Sequence, residues 1–128
     1  MRTNTLILIS CSIELATGLA LIAVPNLVGD VLLSVGLAPS GEAVARVGGF
    51  ALVSLALACW PGEEGNNKRP VRALFVYNLA AAIYLGYLRV GGDFTSYFLL
   101  PASGLHGLLG LMLTRPAYRN LVDRNSAA

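Results

Sequence analysis

The chain has 128 residues, a net charge of +2, 55% hydrophobic residues and only 12% charged ones. A soluble domain carries roughly 25% charged residues, so this chain lacks the charge to clothe a water-facing surface. The length allows one domain. Composition and length exclude a soluble enzyme, a secreted disulfide scaffold and a disordered tail, and the small net charge without a basic patch excludes nucleic-acid binding.

A bilayer core is crossed by about 20 apolar residues in a helix, and the sequence holds four runs of that kind, at about 5–24, 43–60, 70–90 and 94–114. The first is closed by Pro25 and the second by Pro61, and Pro70 opens the third at a favourable first-turn position. The fourth ends at Arg115-Pro116, with Pro101 inside it expected to bend the helix or free a carbonyl. A cleaved signal peptide fits the first run poorly, because its basic n-region is only Arg2, the apolar stretch is long and Glu14 sits in its middle. Between the first two runs, at about 26–38, Leu27, Val28, Val31, Leu32 and Val35 fall at helical spacing, which at this length predicts an interfacial or re-entrant segment. The expected fold class is therefore all-α: a polytopic membrane protein built as a single four-transmembrane-helix bundle, with a short interfacial segment between helices 1 and 2. The loop Gly62 to Arg69 is polar and needs no function.

Orientation follows from lysine and arginine near the span ends. Seven of them (Arg2, Lys68, Arg69, Arg72, Arg115, Arg119 and Arg124) fall on one side, and two, Arg46 and Arg89, on the other, beside Asp30, Glu42 and Asp93. This asymmetry puts both termini in the cytoplasm. Trp60 and Tyr118 near the cytoplasmic ends, and Tyr87 and Tyr97 near the outer ends, fit interfacial belts. Cys11 and Cys59 read as two small buried hydrophobes.

Each run carries a residue that is costly in lipid: Glu14, Arg46, Asn78 and His106, in that order. At a rise of about 1.5 Å per residue, Glu14, Asn78 and His106 lie roughly 15, 18 and 16 Å below the outer ends of their helices, so the three share the mid-plane. Arg46 lies nearer the outer end, from where its long side chain would cap the layer or snorkel to the headgroups. Tyr77 and Tyr84 are possible hydroxyl donors on the third helix. Tyr84 is not stacked above Asn78, however, and Tyr77, as its sequence neighbour, points elsewhere. The four residues Glu14, Arg46, Asn78 and His106 are the candidate ligand-binding set, with interhelical glue as the structural alternative.

Small residues supply a second pattern. Gly104, Gly107 and Gly110 recur every three positions on the fourth helix, Ala82 and Gly86 form a small-xxx-small pair on the third, and Gly48 and Gly49 thin the second. These are candidate helix-packing residues, within one bundle or between chains. No catalytic, phosphate-binding or zinc motif is present, and one histidine cannot supply two haem ligands within one chain, so no cofactor or metal is expected.

The order of features resembles small four-helix bacterial inner-membrane proteins of the DoxX-like kind. The residues carrying the resemblance are Ile13-Glu14-Leu15 followed by Gly18, Ala45-Arg46-Val47-Gly48-Gly49-Phe50-Ala51-Leu52, Tyr77-Asn78, and Leu100-Pro101-Ala102 with His106. It covers nearly the whole chain through short, diffuse motifs and implies the architecture and a bacterial inner-membrane location. The quinone-linked or redox-accessory roles that DoxX suggests are not carried over, because this chain has no redox motif. Two functions are expected. The first is a structural or accessory membrane subunit packing against itself, as a homo-oligomer, or against a larger complex within the lipid bilayer. The alternative is a module that binds or transports a small lipophilic or protonatable ligand, quinone- or lipid-like, at the mid-membrane polar layer.

Overall fold

The computed structural model describes residues 3–62, 67–91 and 94–125, with backbone only from 119 onward. It is all-α, with five helices among the described residues: α1 (Thr3–Ala23), α2 (Pro25–Leu33), α3 (Pro39–Ala58), α4 (Lys68–Gly91) and α5 (Leu99–Asn125). Three of them, α1, α3 and α4, are long and apolar enough to cross a membrane.

Local chemistry sets the boundaries. Val24 precedes a proline, which disfavours helical backbone, and its φ of −136° breaks α1 from α2. Ser34 ends α2 in the left-handed region, at φ 58°, with its N–H on the Asp30 carbonyl. Ala38 is extended and Pro39 occupies the first turn of α3, where the missing N–H costs nothing. Helix α3 thus begins ahead of the apolar run expected from 43, because its polar first turn is helical without being hydrophobic.

The fourth run departs most from expectation. Residues Phe94–Phe98 are not helical, and α5 begins only at Leu99. Ser96 holds this start: its hydroxyl donates to the Val31 carbonyl at 2.6 Å and accepts the Phe98 N–H at 3.2 Å. Pro101 consequently sits in the first turn, where it frees no intrahelical carbonyl, and Pro116 is the proline inside the helix. The helix also continues through Pro116 to Asn125, so Arg115-Pro116 ends the apolar stretch but not the helix. The apolar part of α5 runs only from Leu99 to Thr114, about 24 Å at the α-helical rise, less than the roughly 30 Å hydrocarbon core.

Helix α1 is central. It packs along α3, α4 packs along α5, and the two pairs meet mainly through α1. The core, Leu6, Ile7, Cys11, Ala56, Cys59, Val71, Leu74, Leu113 and Ala117, joins the start of α1, the end of α3, the start of α4 and the later part of α5. Both cysteines are free thiols in it, as expected of small hydrophobes. Lys68, Arg69, Arg72 and Arg115 belong to helix segments at this same end, whereas Arg2, Asp93, Gly92, residues 63–66 and the side chains of Arg119 and Arg124 lie outside the described residues.

The surface is inside-out relative to a soluble bundle. Val44, Val76, Ile83 and Leu111 are exposed while Ser10, Glu14 and Asn78 are fully buried. That is the distribution expected where the solvent is lipid. Trp60, Tyr87, Tyr97 and Tyr118 are all exposed, as belts require.

Candidate functional site

Close backbone approach within each helix pair positions the site. A Cβ at Gly49 would lie 2.6 Å from the Gly18 carbonyl oxygen, and one at Gly18 would lie 2.8 Å from the Gly49 oxygen, so α1 and α3 cross backbone to backbone at this point. Between α4 and α5 the Ser103 hydroxyl donates to the Ala82 carbonyl at 2.8 Å. Gly86 faces the Ser103 hydroxyl, Gly107 faces Ala82, and Gly110 faces the backbone of Asn78 and Leu79. The expected packing residues thus divide. Gly49, Ala82, Gly86, Gly107 and Gly110 face a neighbouring helix, while Gly48 and Gly104 look onto open space with nothing within 4 Å.

With the helices so placed, three of the four expected polar residues come together where the pairs meet. Asn78 is the hub. Its amide nitrogen donates to the Ser10 hydroxyl of α1 at 2.9 Å and to the Leu74 carbonyl of its own helix at 2.8 Å. Its amide oxygen lies 2.9 Å from Nδ1 of His106 on α5. Glu14 completes the layer from α1, with Oε1 3.8 Å from the same Nδ1. That is ion-pair range but beyond a hydrogen bond. Both Glu14 carboxyl oxygens are buried without a hydrogen-bond partner.

Arg46 is not part of this layer. Its guanidinium pairs with Glu42 at 3.1 Å, and its Nε donates to the Ile22 carbonyl at 3.3 Å. Ile22 lies in the last turn of α1, where carbonyls lack intrahelical partners and a cation is favoured. Arg46 therefore caps the C-terminus of α1 instead of the polar layer, since that acceptor and the Glu42 carboxylate are the nearer partners. The Glu42 carboxylate also accepts from Asn26, whose amide oxygen in turn accepts the Leu37 N–H at 2.9 Å. This network ties α2 and the segment after it to α3.

Two members of the layer were not read from the sequence. Ser10 is one helical turn before Glu14, a spacing that puts both on one face of α1, but a serine in an apolar run gives no signal by itself. Tyr77 was expected to point away. Instead its ring packs edge-on against His106, with centroids 5.8 Å apart, and its phenol interacts with the Glu14 carboxyl from just outside strict hydrogen-bond geometry. Asn78 and Tyr77 diverge around α4, yet α1 and α5 flank that helix closely enough for both to reach the layer. Tyr84 is exposed and takes no part.

Among the described residues no group of three or more His, Cys, Asp or Glu side chains is placed to hold a metal ion. The chain matches no family model, no curated protein and no solved structure. The chemistry of the layer follows from its donors and acceptors: a carboxyl that donates as the acid and accepts as the anion, and an imidazole able to exchange a proton.

Proposed function

We propose that the protein is a four-span component of a bacterial inner membrane, of the DoxX-like architecture and with both termini cytoplasmic. We propose further that its Glu14–Asn78–His106 layer binds a small lipophilic or protonatable molecule, quinone- or lipid-like. The charge asymmetry supports the orientation, and the apolar run that continues through α5 from Leu99 to Leu113 supports the fourth span.

One observation carries the binding reading: the enclosed Glu14 carboxyl has no hydrogen-bond partner on either oxygen. A polar side chain retained only to hold helices together is satisfied by its neighbours, as Asn78 is. A buried polar group left without a partner costs about 1–3 kcal/mol. The Tyr77 phenol and the His106 ring stand beside Glu14 without meeting hydrogen-bond geometry, and a ligand group bound against the carboxyl would supply the interaction it lacks.

The test is native mass spectrometry of the protein extracted in its own lipid. Wild type retains a lipophile of defined mass, Glu14→Ala loses it, and Arg46→Ala keeps it. Wild-type protein that carries nothing beyond bulk lipid overturns the reading. The accessory-subunit reading draws on a different observation, the open faces at Gly48 and Gly104, where a helix backbone of another chain has room to approach.

A further inference from the structure

We propose that the basic end of the α4–α5 pair holds an anionic phospholipid, with its phosphate at Lys68, Arg69, Arg72 and Arg115 and an acyl chain along the exposed apolar stripe of α4. This surface is separate from the Glu14–Asn78–His106 layer, and the proposal does not rest on the binding reading above.

The placement of charge comes first. Lys68, Arg69 and Arg72 all stand in the first two turns of α4, and its first turn holds no acidic residue. That is the positive end of the helix dipole, where cations are disfavoured and an anion is favoured. Among the described residues no carboxylate pairs with any of the three or with Arg115. Val71 shares the core with Leu113 and Ala117, which brings Arg115 of α5 level with the start of α4. Orientation in a membrane needs only lysine and arginine near the span ends, with their heads in water. Arg72 is held more closely than that. The residue is half-buried, and its Nε is enclosed without a hydrogen-bond partner. Its stem is thus packed against the bundle and its fork is fixed in place, the condition under which a guanidinium recognises phosphate. The Nε of Arg89 is enclosed too. Arg89, however, stands in the last turn of α4, where the dipole favours a cation, so it calls for no anion.

The second observation is what continues from these charges. At about 100° per residue, Arg69, Arg72, Val76, Ile83 and Tyr87 fall within about 60° of one another around α4. Val76, Ile83 and Tyr87 are exposed. The same arithmetic puts Leu108, Leu111 and Arg115 on one face of α5, and both leucines are exposed. From Arg72 to Ile83 the stripe is about 16 Å long, close to half of the roughly 30 Å hydrocarbon core. An acyl chain whose headgroup lies at Arg72 therefore has one leaflet's depth of apolar surface to lie along. A soluble acidic segment would answer the charges but not the stripe. A neutral lipid would answer the stripe but not the charges.

The experiment is native mass spectrometry of the full chain, delipidated in micelles and titrated with dioleoylphosphatidylglycerol or dioleoylphosphatidylcholine. Each lysine or arginine beside an anionic headgroup is worth about fivefold in affinity. With Arg69 and Arg72 both engaged, wild type should bind the phosphatidylglycerol about 25-fold more tightly than the phosphatidylcholine. Arg69→Gln and Arg72→Gln should each lose about fivefold of that preference, and Arg89→Gln should keep it. Arg69 is exposed, so its variant decides the matter even if Arg72→Gln does not fold. Glycerophosphoglycerol, the same headgroup without chains, should not displace the lipid, and neither should inorganic phosphate or a polyglutamate peptide. Equal binding of the two lipids overturns the proposal, as does an unchanged preference in Arg69→Gln. Displacement by the chainless headgroup, by phosphate or by the peptide overturns it as well, since the surface would then select an anion and not a lipid. Glu14→Ala should leave the preference unchanged, so this proposal and the binding reading fail separately.

Discussion

Replacing Gly49 with alanine tests the crossing on which the placement of the site depends. The added methyl would lie 2.6 Å from the Gly18 carbonyl oxygen and 2.8 Å from Cγ1 of Ile22. The nearer atom is backbone, which has no rotamer to escape into, so α1 and α3 must separate by several tenths of an ångström. A gap of about 0.5–1 Å forfeits a quarter to a half of the attraction of each atom pair across it. In lipid there is no hydrophobic effect between helices to compensate. Overpacking of this kind costs about 1–3 kcal/mol. Gly18→Ala should cost about as much, since its methyl meets the Gly49 oxygen at 2.8 Å and Val53 at 2.9 Å. The double variant should fall short of the sum, because one separation relieves both contacts. Gly48→Ala, facing open space, is the matched control and should stay within about 0.5 kcal/mol of wild type. The assay is reversible unfolding of the purified protein in mixed micelles, followed by circular dichroism. If Gly49→Ala unfolds with Gly48→Ala at the same midpoint, the backbone crossing is wrong.

Asn78→Leu keeps the bulk of the side chain but removes its two interhelical hydrogen bonds, to Ser10 and His106. At about 0.6 kcal/mol for each such bond in a membrane, the same unfolding assay should show a loss of about 1 kcal/mol, and no loss would mean that the hub contributes nothing. Ser96→Ala removes the hydroxyl that links Val31 to the start of α5. Hydrogen exchange of amides in α2 and at Phe98 should accelerate about fivefold, as loss of a cap of about 1 kcal/mol requires, with the centre of α1 unchanged. Gly110→Leu should force α4 from α5, whereas Gly104→Leu should leave the monomer intact. If Gly104→Leu instead dissociates an oligomer seen by analytical ultracentrifugation, that face is a subunit contact and the accessory reading gains.

Particular residues show how far the sequence could be read. Glu14, Asn78 and His106 were brought to one depth by counting along their helices, since the helical rise is fixed by the backbone and depth needs no tertiary information. Arg46 failed by the same method. Depth does not say which acceptor is nearest, and the unfilled carbonyl at the end of α1 and the Glu42 carboxylate lay closer than the layer. Tyr77 failed because residues adjacent on a helix diverge, yet α4 is flanked by two helices, so two different faces of it can border one site. Gly48 and Gly49 look alike in sequence, and only the direction each faces separates a backbone crossing from an open surface.

The scarcity of charge and the length of the apolar runs were properties of the chain alone, because the solvent a helix tolerates depends on what it carries. They determined an all-α protein for a membrane, with α1, α3 and α4 able to cross it. The start of α5 was not determined in that way. The apolar residues from Phe94 give no break, and the helix begins at Leu99 because Ser96 is held by a carbonyl of α2, a partner 65 positions away. The polar layer divides along the same line. Its residue types and depth came from sequence, while the satisfied amide of Asn78 and the unpartnered carboxyl of Glu14 were decided by which helices met around them. Hydrogen bonds are short and directional, and only the packed bundle sets which polar groups come within reach.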